Sequence, residues 1–137
     1  MKRPFLLDTC ACLWIVGNAI SDATAKLLAE AYNDGLPLFV SPITAWEIGN
    51  MARKGRLKTD LTPKRWFAKM MGTSGMQLAE MPPELLIESA LLPGGIHNDP
   101  ADRIIAATAR EYGYTVLTRD RALLSYAKQG HLSAIEC

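Results

Sequence analysis

The stretch DPADRIIAATAREYGYTVLT (residues 99–118) joins a complete helix signal to the strand that follows it. Asp99 is a favoured N-cap residue, Pro100 suits the first helical position, and Gly113 stands where the helix should end. The apolar run at residues 114–118 has the length of a buried strand. Helices that alternate with such strands are typical of α/β folds.

The same alternation extends outward over the chain. Short apolar runs predict strands at residues 5–8, 37–41, 76–80, 114–118 and 133–136. Longer segments predict helices at residues 21–35, 41–55, 62–72, 82–92 and 99–113, and we expect shorter helices in CACLWIV (10–16) and RALLSYAK (121–128). Caps support these helices, namely Ser21, Ser41 and Thr62 at their starts, Pro42 and Pro63 next to two of those, and Gly35, Gly55 and Gly72 at their ends. The sequence therefore predicts a mostly parallel sheet of about five strands, covered by helices on both faces.

Composition indicates an ordinary globular protein. The 137 residues suit one domain spanning residues 1–137, and the net charge of +1 argues neither for nor against a nucleic-acid partner. No apolar run approaches the length of a membrane span. The odd set of three cysteines, Cys10, Cys12 and Cys137, has no zinc spacing and indicates reduced thiols in the cytoplasm.

Acidic residues follow several of the predicted strands. Asp8 ends the first strand, Glu47 lies about two turns into the helix after the second, and Asp120 lies just beyond the fourth. Asp99 and Asp102 open the helix before that fourth strand. Because ligands of parallel sheets bind at the carboxyl ends of the strands, we expect these carboxylates to share one rim.

Each carboxylate also has a purely structural interpretation. Asp8, Asp99 and Asp120 could cap the helices that follow them, and Asp102 would suit the positive end of a helix dipole. Glu47 lies in a mostly apolar helix, where a buried carboxylate needs a partner. That partner could be a basic side chain, and the candidates are Arg103, Arg119 and Arg121.

The set as a whole favours function. Carboxylates crowded at one rim repel each other, and a bound cation relieves that repulsion. Oxygen ligands favour hard ions, Mg²⁺ or Mn²⁺, which bind phosphates and activate water. These features indicate a phosphodiesterase.

Four segments carry a family resemblance: FLLDTCACLW (5–14), SPITAWEIGNMARKGRL (41–57), HNDPADRIIAATA (97–109) and LTRDRALLSY (117–126). Together they resemble the motifs of the PIN domain, and within that family those of the VapC ribonuclease toxins of bacterial toxin–antitoxin pairs. The resemblance implies a three-layer α/β/α domain, metal-dependent cleavage of RNA by an activated water, a homodimer and a cognate antitoxin protein.

Carried over by motif, the family's acidic set falls on Asp8, Glu47, Asp102 and Asp120. The resemblance implies that these four residues are catalytic. It also implies that Asp8, Asp102 and Asp120 hold Mg²⁺ or Mn²⁺ and that Glu47 completes the site directly or through water. Thr9 and Thr118 match hydroxyl positions beside the metal. His97 lies near the third motif, but we expect a lone histidine there to form hydrogen bonds within its loop.

Basic residues concentrate after the second motif. Seven of them stand against one acid, Asp60, between residues 53 and 69, namely Arg53, Lys54, Arg56, Lys58, Lys64, Arg65 and Lys69. They could be a solvated helix end, but we favour a flank that binds the phosphates of RNA. Trp66 could stack on a base, although packing in the core is the more common role.

Two other classes of function fit parts of the sequence. A catalytically idle PIN-like module could bind RNA or a partner without cleaving, although the intact acidic set speaks against it. A phosphoacceptor phosphatase of the haloacid dehalogenase type needs a second aspartate two residues after the first. The triplet DTC offers Cys10 at that position.

Overall fold

A computed structural model describes residues 2–73 and 75–137. Its elements are β1 (Phe5–Leu7), α1 (Thr9–Val16), α2 (Asp22–Asn33), β2 (Leu38–Val40), α3 (Pro42–Arg53), α4 (Pro63–Met71), β3 (Met76–Leu78), α5 (Pro83–Ala90), α6 (Pro100–Tyr112), β4 (Thr115–Thr118), α7 (Arg121–Lys128) and β5 (Ser133–Glu136). The predicted alternation of strands and helices is confirmed. No helix in the described ranges is both long and apolar enough to span a membrane.

The five strands form one sheet in the order β3-β2-β1-β4-β5, and each neighbouring pair is parallel. The sheet is thus wholly parallel, where the sequence predicted a mostly parallel one. From β1 the chain runs outward through β2 to β3, then crosses to the other side of β1 for β4 and β5. This change of direction leaves a crevice at the carboxyl ends of β1 and β4, the usual ligand position in such sheets.

Helices cover both faces of the sheet. Alternate residues of each strand point to opposite faces, so neighbouring residues pack against different helices. Leu7 and Leu117 belong to a buried cluster that includes residues of α1, α3 and α4. Their neighbours Leu6 and Val116 belong to a second cluster, with residues of α6 and α7. The fold therefore has the three layers that the family resemblance implied.

The ends of the elements follow from local capping. Strand β1 ends one residue before the prediction because Asp8 is the N-cap of α1. In the same way, β2 ends at Val40 because Ser41 caps α3. Helix α6 ends at Gly113, whose φ of 73° is in the left-handed region that favours glycine.

Helix α6 is the most deeply buried helix, and it carries the third motif. Seven of its thirteen residues are buried, namely Ala101, Ile104, Ile105, Ala106, Ala107, Thr108 and Ala109. Most of these side chains are small, which allows the helix to approach the sheet closely. The first turn of α6, with Asp102, is thereby brought to the rim where β1 and β4 end.

Candidate metal centre

Asp8 directly follows β1, at the edge of the sheet where the crevice is expected, and is only 4% exposed. Its Oδ1 accepts the backbone N–H of Ala11 at 2.7 Å and so caps α1, while its Oδ2 accepts the hydroxyl of Thr118. Its own backbone N–H donates to Leu117 O at 3.3 Å, beside β4. Asp8 therefore caps a helix, as its structural interpretation predicted, and also lies within the candidate site.

Thr118 connects Asp8 to Asp120. Its wholly buried hydroxyl donates to Asp8 and accepts the backbone N–H of Asp120 at 2.9 Å. Oδ1 of Asp120 accepts the backbone N–H of Leu123 at 2.9 Å, which caps α7. One hydroxyl thus fixes the carboxylate after β1 relative to the residues that follow β4.

The two aspartates of the third motif have different surroundings. Asp99 is exposed, and its Oδ1 accepts the backbone N–H of Asp102 at 3.0 Å, so the predicted N-cap of α6 is confirmed. The side chain of Asp102 is only 19% exposed and faces the Asp120 side of the crevice, where both carboxylates lie near the same imidazole.

Glu47 reaches the cluster from α3 and is paired with a hydroxyl. Its Oε1 accepts the hydroxyl of Thr9, and Oγ1 of Thr9 lies 3.0 Å from that of the buried Thr44. The purely structural interpretation of Glu47 offered a basic side chain as its partner. In the described ranges no ion pair joins Glu47 to Arg103, Arg119 or Arg121.

Two of those arginines have other structural contacts. Arg103 donates to four backbone carbonyls, those of Ser89, Ala90, Ile96 and His97. Arg119 donates to Ala19 O and lies 3.9 Å from the ring centre of Trp14. The carboxylates are therefore not neutralised by these guanidinium groups.

The carboxylates act on one another electrostatically. Burial, followed by repulsion from Asp120, Asp99, Asp8 and Glu47, raises the pKa of Asp102 to about 7. Burial also raises the pKa of Glu47, with smaller contributions from Asp99 and Asp8. For Asp8, burial raises the pKa although the hydrogen bonds from Thr118 and Ala11 oppose it. The crevice thus favours any species that brings positive charge.

This donor set fits a hard divalent cation. Asp8, Glu47, Asp102 and Asp120 supply carboxylate oxygens from four different parts of the fold. The raised pKa values of Asp8, Glu47 and Asp102 indicate that the negative charge of these three is poorly compensated. One ligand atom each of His97, Asp102 and Asp120 lies within 4.8 Å of the others. Asp102 and Asp120 could hold Mg²⁺ or Mn²⁺ together with Asp8, which the Thr118 hydroxyl connects to Asp120, and with Glu47 beside them.

Sequence reasoning gave no role at this site to two residues that lie in it. His97 lies with Nε2 3.1 Å from Oδ2 of Asp102 and 3.9 Å from Oδ1 of Asp120. Thr44 lies on α3 one turn before Glu47, and its hydroxyl is hydrogen-bonded to that of Thr9. The sequence shows that His97 precedes Asp102 by five residues, but it does not indicate the conformation of the loop between them.

The basic flank lies beside this cluster. All seven of its basic residues are exposed: Arg53, Lys54, Arg56, Lys58, Lys64, Arg65 and Lys69. Two of them, Lys54 and Arg56, line a groove of about 320 Å³ together with Glu47 and Asp99. Trp66 is 7% exposed and packs in the core, which confirms the core-packing interpretation.

Comparisons with known proteins match the chain over most of its length. The PIN domain family matches residues 5–129. Ribonuclease VapC22 of Mycobacterium tuberculosis is 26% identical over 121 residues, which cover 88% of this chain and 90% of that protein.

Solved structures share the fold at lower sequence identity. The structure of VapBC2 from Rickettsia felis, bound to a DNA fragment from their promoter, gives a TM-score of 0.68 at 15% identity, covering 96% of this chain and 97% of that one. DNA-bound VapBC from Salmonella typhimurium gives a TM-score of 0.64 at 20% identity, covering 98% of both chains. PAE2754 from Pyrobaculum aerophilum gives 0.64 at 22%, covering 99% and 92%.

Proposed function

Because this chain belongs to the PIN domain family, we propose that it is an Mg²⁺- or Mn²⁺-dependent endoribonuclease and the toxin of a toxin–antitoxin pair. The observation that carries the proposal is the convergence of Asp8, Glu47, Asp102 and Asp120 at one rim, with their charge uncompensated by arginine. The similarity to Ribonuclease VapC22 supports RNA as the substrate. The family assignment speaks against a phosphoacceptor phosphatase.

The residues of the site have distinct roles in this proposal. Asp8, Asp102 and Asp120 would hold the ion, and Glu47 on α3 would complete the site directly or through a water. When bound, the ion supplies a Lewis acid that polarises a phosphate oxygen and activates a water for in-line attack. Thr118 orients Asp8, and Thr9 orients Glu47, through the hydrogen bonds that their hydroxyls donate.

We propose that RNA reaches the cluster along the groove beside Glu47. Lys54 and Arg56 line this groove and supply positive charge next to the carboxylates. Arg53, Lys58, Lys64 and Arg65 extend the same charged surface through the end of α3 and the start of α4. Phosphates bound there would be held close to the carboxylate cluster.

The proposed partners are a small cognate antitoxin and a second copy of this chain, in the cytoplasm. The VapBC structures that share this fold support the antitoxin. Helix α5 and the residue after it expose Leu86, Ile87 and Leu91, with 41%, 61% and 73% of their surface accessible. Such a cluster of exposed apolar side chains is suited to a protein interface.

The proposal is tested by cleavage of RNA and by growth. The purified chain should cleave RNA with Mg²⁺ or Mn²⁺, and Asp8→Asn should not. Expression of the chain alone should arrest bacterial growth, and the same variant should relieve the arrest. Calorimetry with Mn²⁺ separates an active enzyme from an idle PIN-like module, because a module that has lost the site would bind no ion. Equal growth with both forms would count against a toxin.

A further inference from the structure

The three tryptophans of the chain lie in different environments, and one of them is exposed. Trp66, for which the sequence left base stacking open, is buried in the core. Trp14 is half-buried, and the guanidinium of Arg119 lies 3.9 Å from its ring centre. Trp46, on α3, is 58% exposed. Tryptophan usually buries most of its large apolar face, so the place where Trp46 leaves that face open is informative.

Trp46 lines the groove of about 320 Å³ that lies beside the carboxylate cluster. Glu47 follows it in the chain and lines the same groove, as do Asp99, Lys54 and Arg56. A volume of this size is at the lower end of the range for pockets that bind small molecules, so it suits a single nucleotide unit. The exposed indole is therefore next to a carboxylate of the proposed site and shares a groove with two cations.

Trp46, Asn50 and Lys54 follow one face of α3 to its C-cap, which is Lys54. They are four residues apart, a spacing that places side chains above one another on a helix at intervals of about 6 Å. All three line the groove, which thus presents in order an aromatic ring, an amide and a cation.

The charges of the groove decide which part of a nucleotide fits which end. Glu47 and Asp99 repel a phosphate from their part of the groove, whereas a base is uncharged and meets no such repulsion. Lys54 and Arg56 attract a phosphate instead. A nucleotide bound here would therefore place its base against Trp46 and its phosphate toward the basic flank.

We propose that Trp46 is a binding residue that stacks on a base of the RNA, while Lys54 and Arg56 contact flanking phosphates. The inference rests on the proposed function, because it concerns how the same site holds RNA. Every base has a π-face, so the stack holds the RNA without reading its sequence. Because Trp46 adjoins Glu47, the stacked nucleotide lies beside the carboxylate cluster.

Two probes with the same number of phosphates isolate the contribution of the base. One is a single strand of RNA of about twelve nucleotides, within the site sizes of single-strand binders. The other is a chain of abasic tetrahydrofuran phosphates of equal length. In inactive Asp8→Asn protein, Trp46→Ala should weaken binding of the RNA by about 5- to 150-fold, the loss of one stacked base. It should leave binding of the abasic chain unchanged. Equal RNA affinity with and without Trp46→Ala would overturn the proposal.

Two further variants separate stacking from simple apolar contact. Trp46→Phe keeps an aromatic face and should bind the RNA within a few-fold of the parent protein. Trp46→Leu keeps an apolar side chain without a ring and should bind about as weakly as Trp46→Ala. The salt dependence of binding should be the same in all of them, because no phosphate contact is lost. A leucine variant that binds as tightly as the phenylalanine variant would contradict stacking.

Tryptophan emission reports the stack directly. The RNA should quench the emission of the Asp8→Asn protein, and the abasic chain should not. Trp46→Phe should bind the RNA without this quenching, since Trp14 and Trp66 are covered. RNA binding without quenching in the parent protein would overturn the proposal. So would a Trp46→Ala variant that changes the sedimentation coefficient but not the RNA affinity, because Trp46 would then lie between two copies of the chain.

Cleavage by the wild type distinguishes failure of this inference from failure of the proposed function. If the wild type cleaves RNA with Mg²⁺ or Mn²⁺ but RNA affinity does not depend on Trp46, only the inference fails. If RNA affinity depends on Trp46 but the wild type does not cleave, the proposed function fails and the stack stands. A protein that binds neither probe would overturn both.

Discussion

Oδ1 of Asp99 accepts the backbone N–H of Asp102 at 3.0 Å, so the first of the two carboxylates that open α6 is used as a cap. The second carboxylate, that of Asp102, does not cap the helix and is less exposed. It lies near the same imidazole, that of His97, as the carboxylate of Asp120. Two acids three residues apart thus have different roles, one in folding and one in the proposed site.

The first prediction separates these roles by mutation. Asp99→Ala should cost about 1 kcal/mol of folding stability, the usual loss of an N-cap, and should retain most of the cleavage activity. Asp102→Ala should cost little stability and should lower the cleavage rate by several orders of magnitude. Thermal melts and single-turnover cleavage of RNA on both variants check this. An inactive Asp99→Ala beside an active Asp102→Ala would reverse our assignment.

The second prediction concerns pH and the stability of the metal-free protein. Asp102 has a pKa of about 7 in the folded chain, against 3.8 for the unperturbed carboxyl. The folded state therefore holds this proton more tightly, and the stability that the proton contributes is lost as the pH rises from about 4 through about 7. Asp102→Asn never ionises, so its melting temperature should exceed that of the wild type at about pH 8 by more than at about pH 5.

Mn²⁺ provides the control for this pH effect. The ion supplies the positive charge that the ionised carboxylates lack, so it should raise the melting temperature of the wild type most at high pH. It should raise that of Asp102→Asn far less. If the two metal-free proteins keep a constant difference in melting temperature from about pH 5 to about pH 8, the titration that we assign to Asp102 does not occur.

The third prediction concerns the buried hydroxyl of Thr118. Thr118→Val keeps the shape of the side chain but removes its hydrogen bonds to Asp8 and Asp120 N. We expect a decrease of about 1–3 kcal/mol in stability, because buried polar atoms are left without their partner, and weaker Mn²⁺ binding. Thr118→Ser keeps the hydroxyl and is the matched control. A valine variant that binds Mn²⁺ as tightly as the serine variant would argue against this role.

The fourth prediction concerns the basic flank. Replacing Lys54 and Arg56 by glutamine should weaken binding of single-stranded RNA. For every phosphate that the variant no longer neutralises, the slope of log K against log salt concentration should become shallower by about 0.7. The matched control is Lys128→Gln, at the opposite end of α7 from Asp120. Binding is measured with inactive Asp8→Asn protein over a series of salt concentrations. Lys128→Gln removes one charge where the double variant removes two, so weakening by half as much in Lys128→Gln would show that the effect is one of net charge alone.

The fold could be predicted because its signals are local. Proline and hydroxyl caps mark the starts of α3 and α4, and Gly113 marks the end of α6. The rim acids could be predicted because the carboxyl ends of parallel strands meet at one edge. Asp8 both caps α1 and lies within the candidate site. In the sequence these two roles were alternatives.

Contacts between distant residues could not be predicted in this way. Glu47 is paired with Thr9, 38 residues away, and not with an arginine. The loop that contains His97 is held by Arg103, which donates hydrogen bonds to His97 O and to Ser89 O, 14 residues before it in the chain. These hydrogen bonds depend on how the chain folds between the two residues, and no periodic pattern in the sequence indicates them.

The most direct test of the proposed metal centre is cleavage of RNA after complete removal of divalent ions by EDTA. We expect no cleavage by the metal-free protein and full recovery on addition of Mg²⁺ or Mn²⁺. We expect no recovery in Asp8→Asn, whose fold is checked by its thermal melt. Undiminished cleavage in excess EDTA, or equal cleavage by Asp8→Asn, would contradict a metal centre built on these carboxylates.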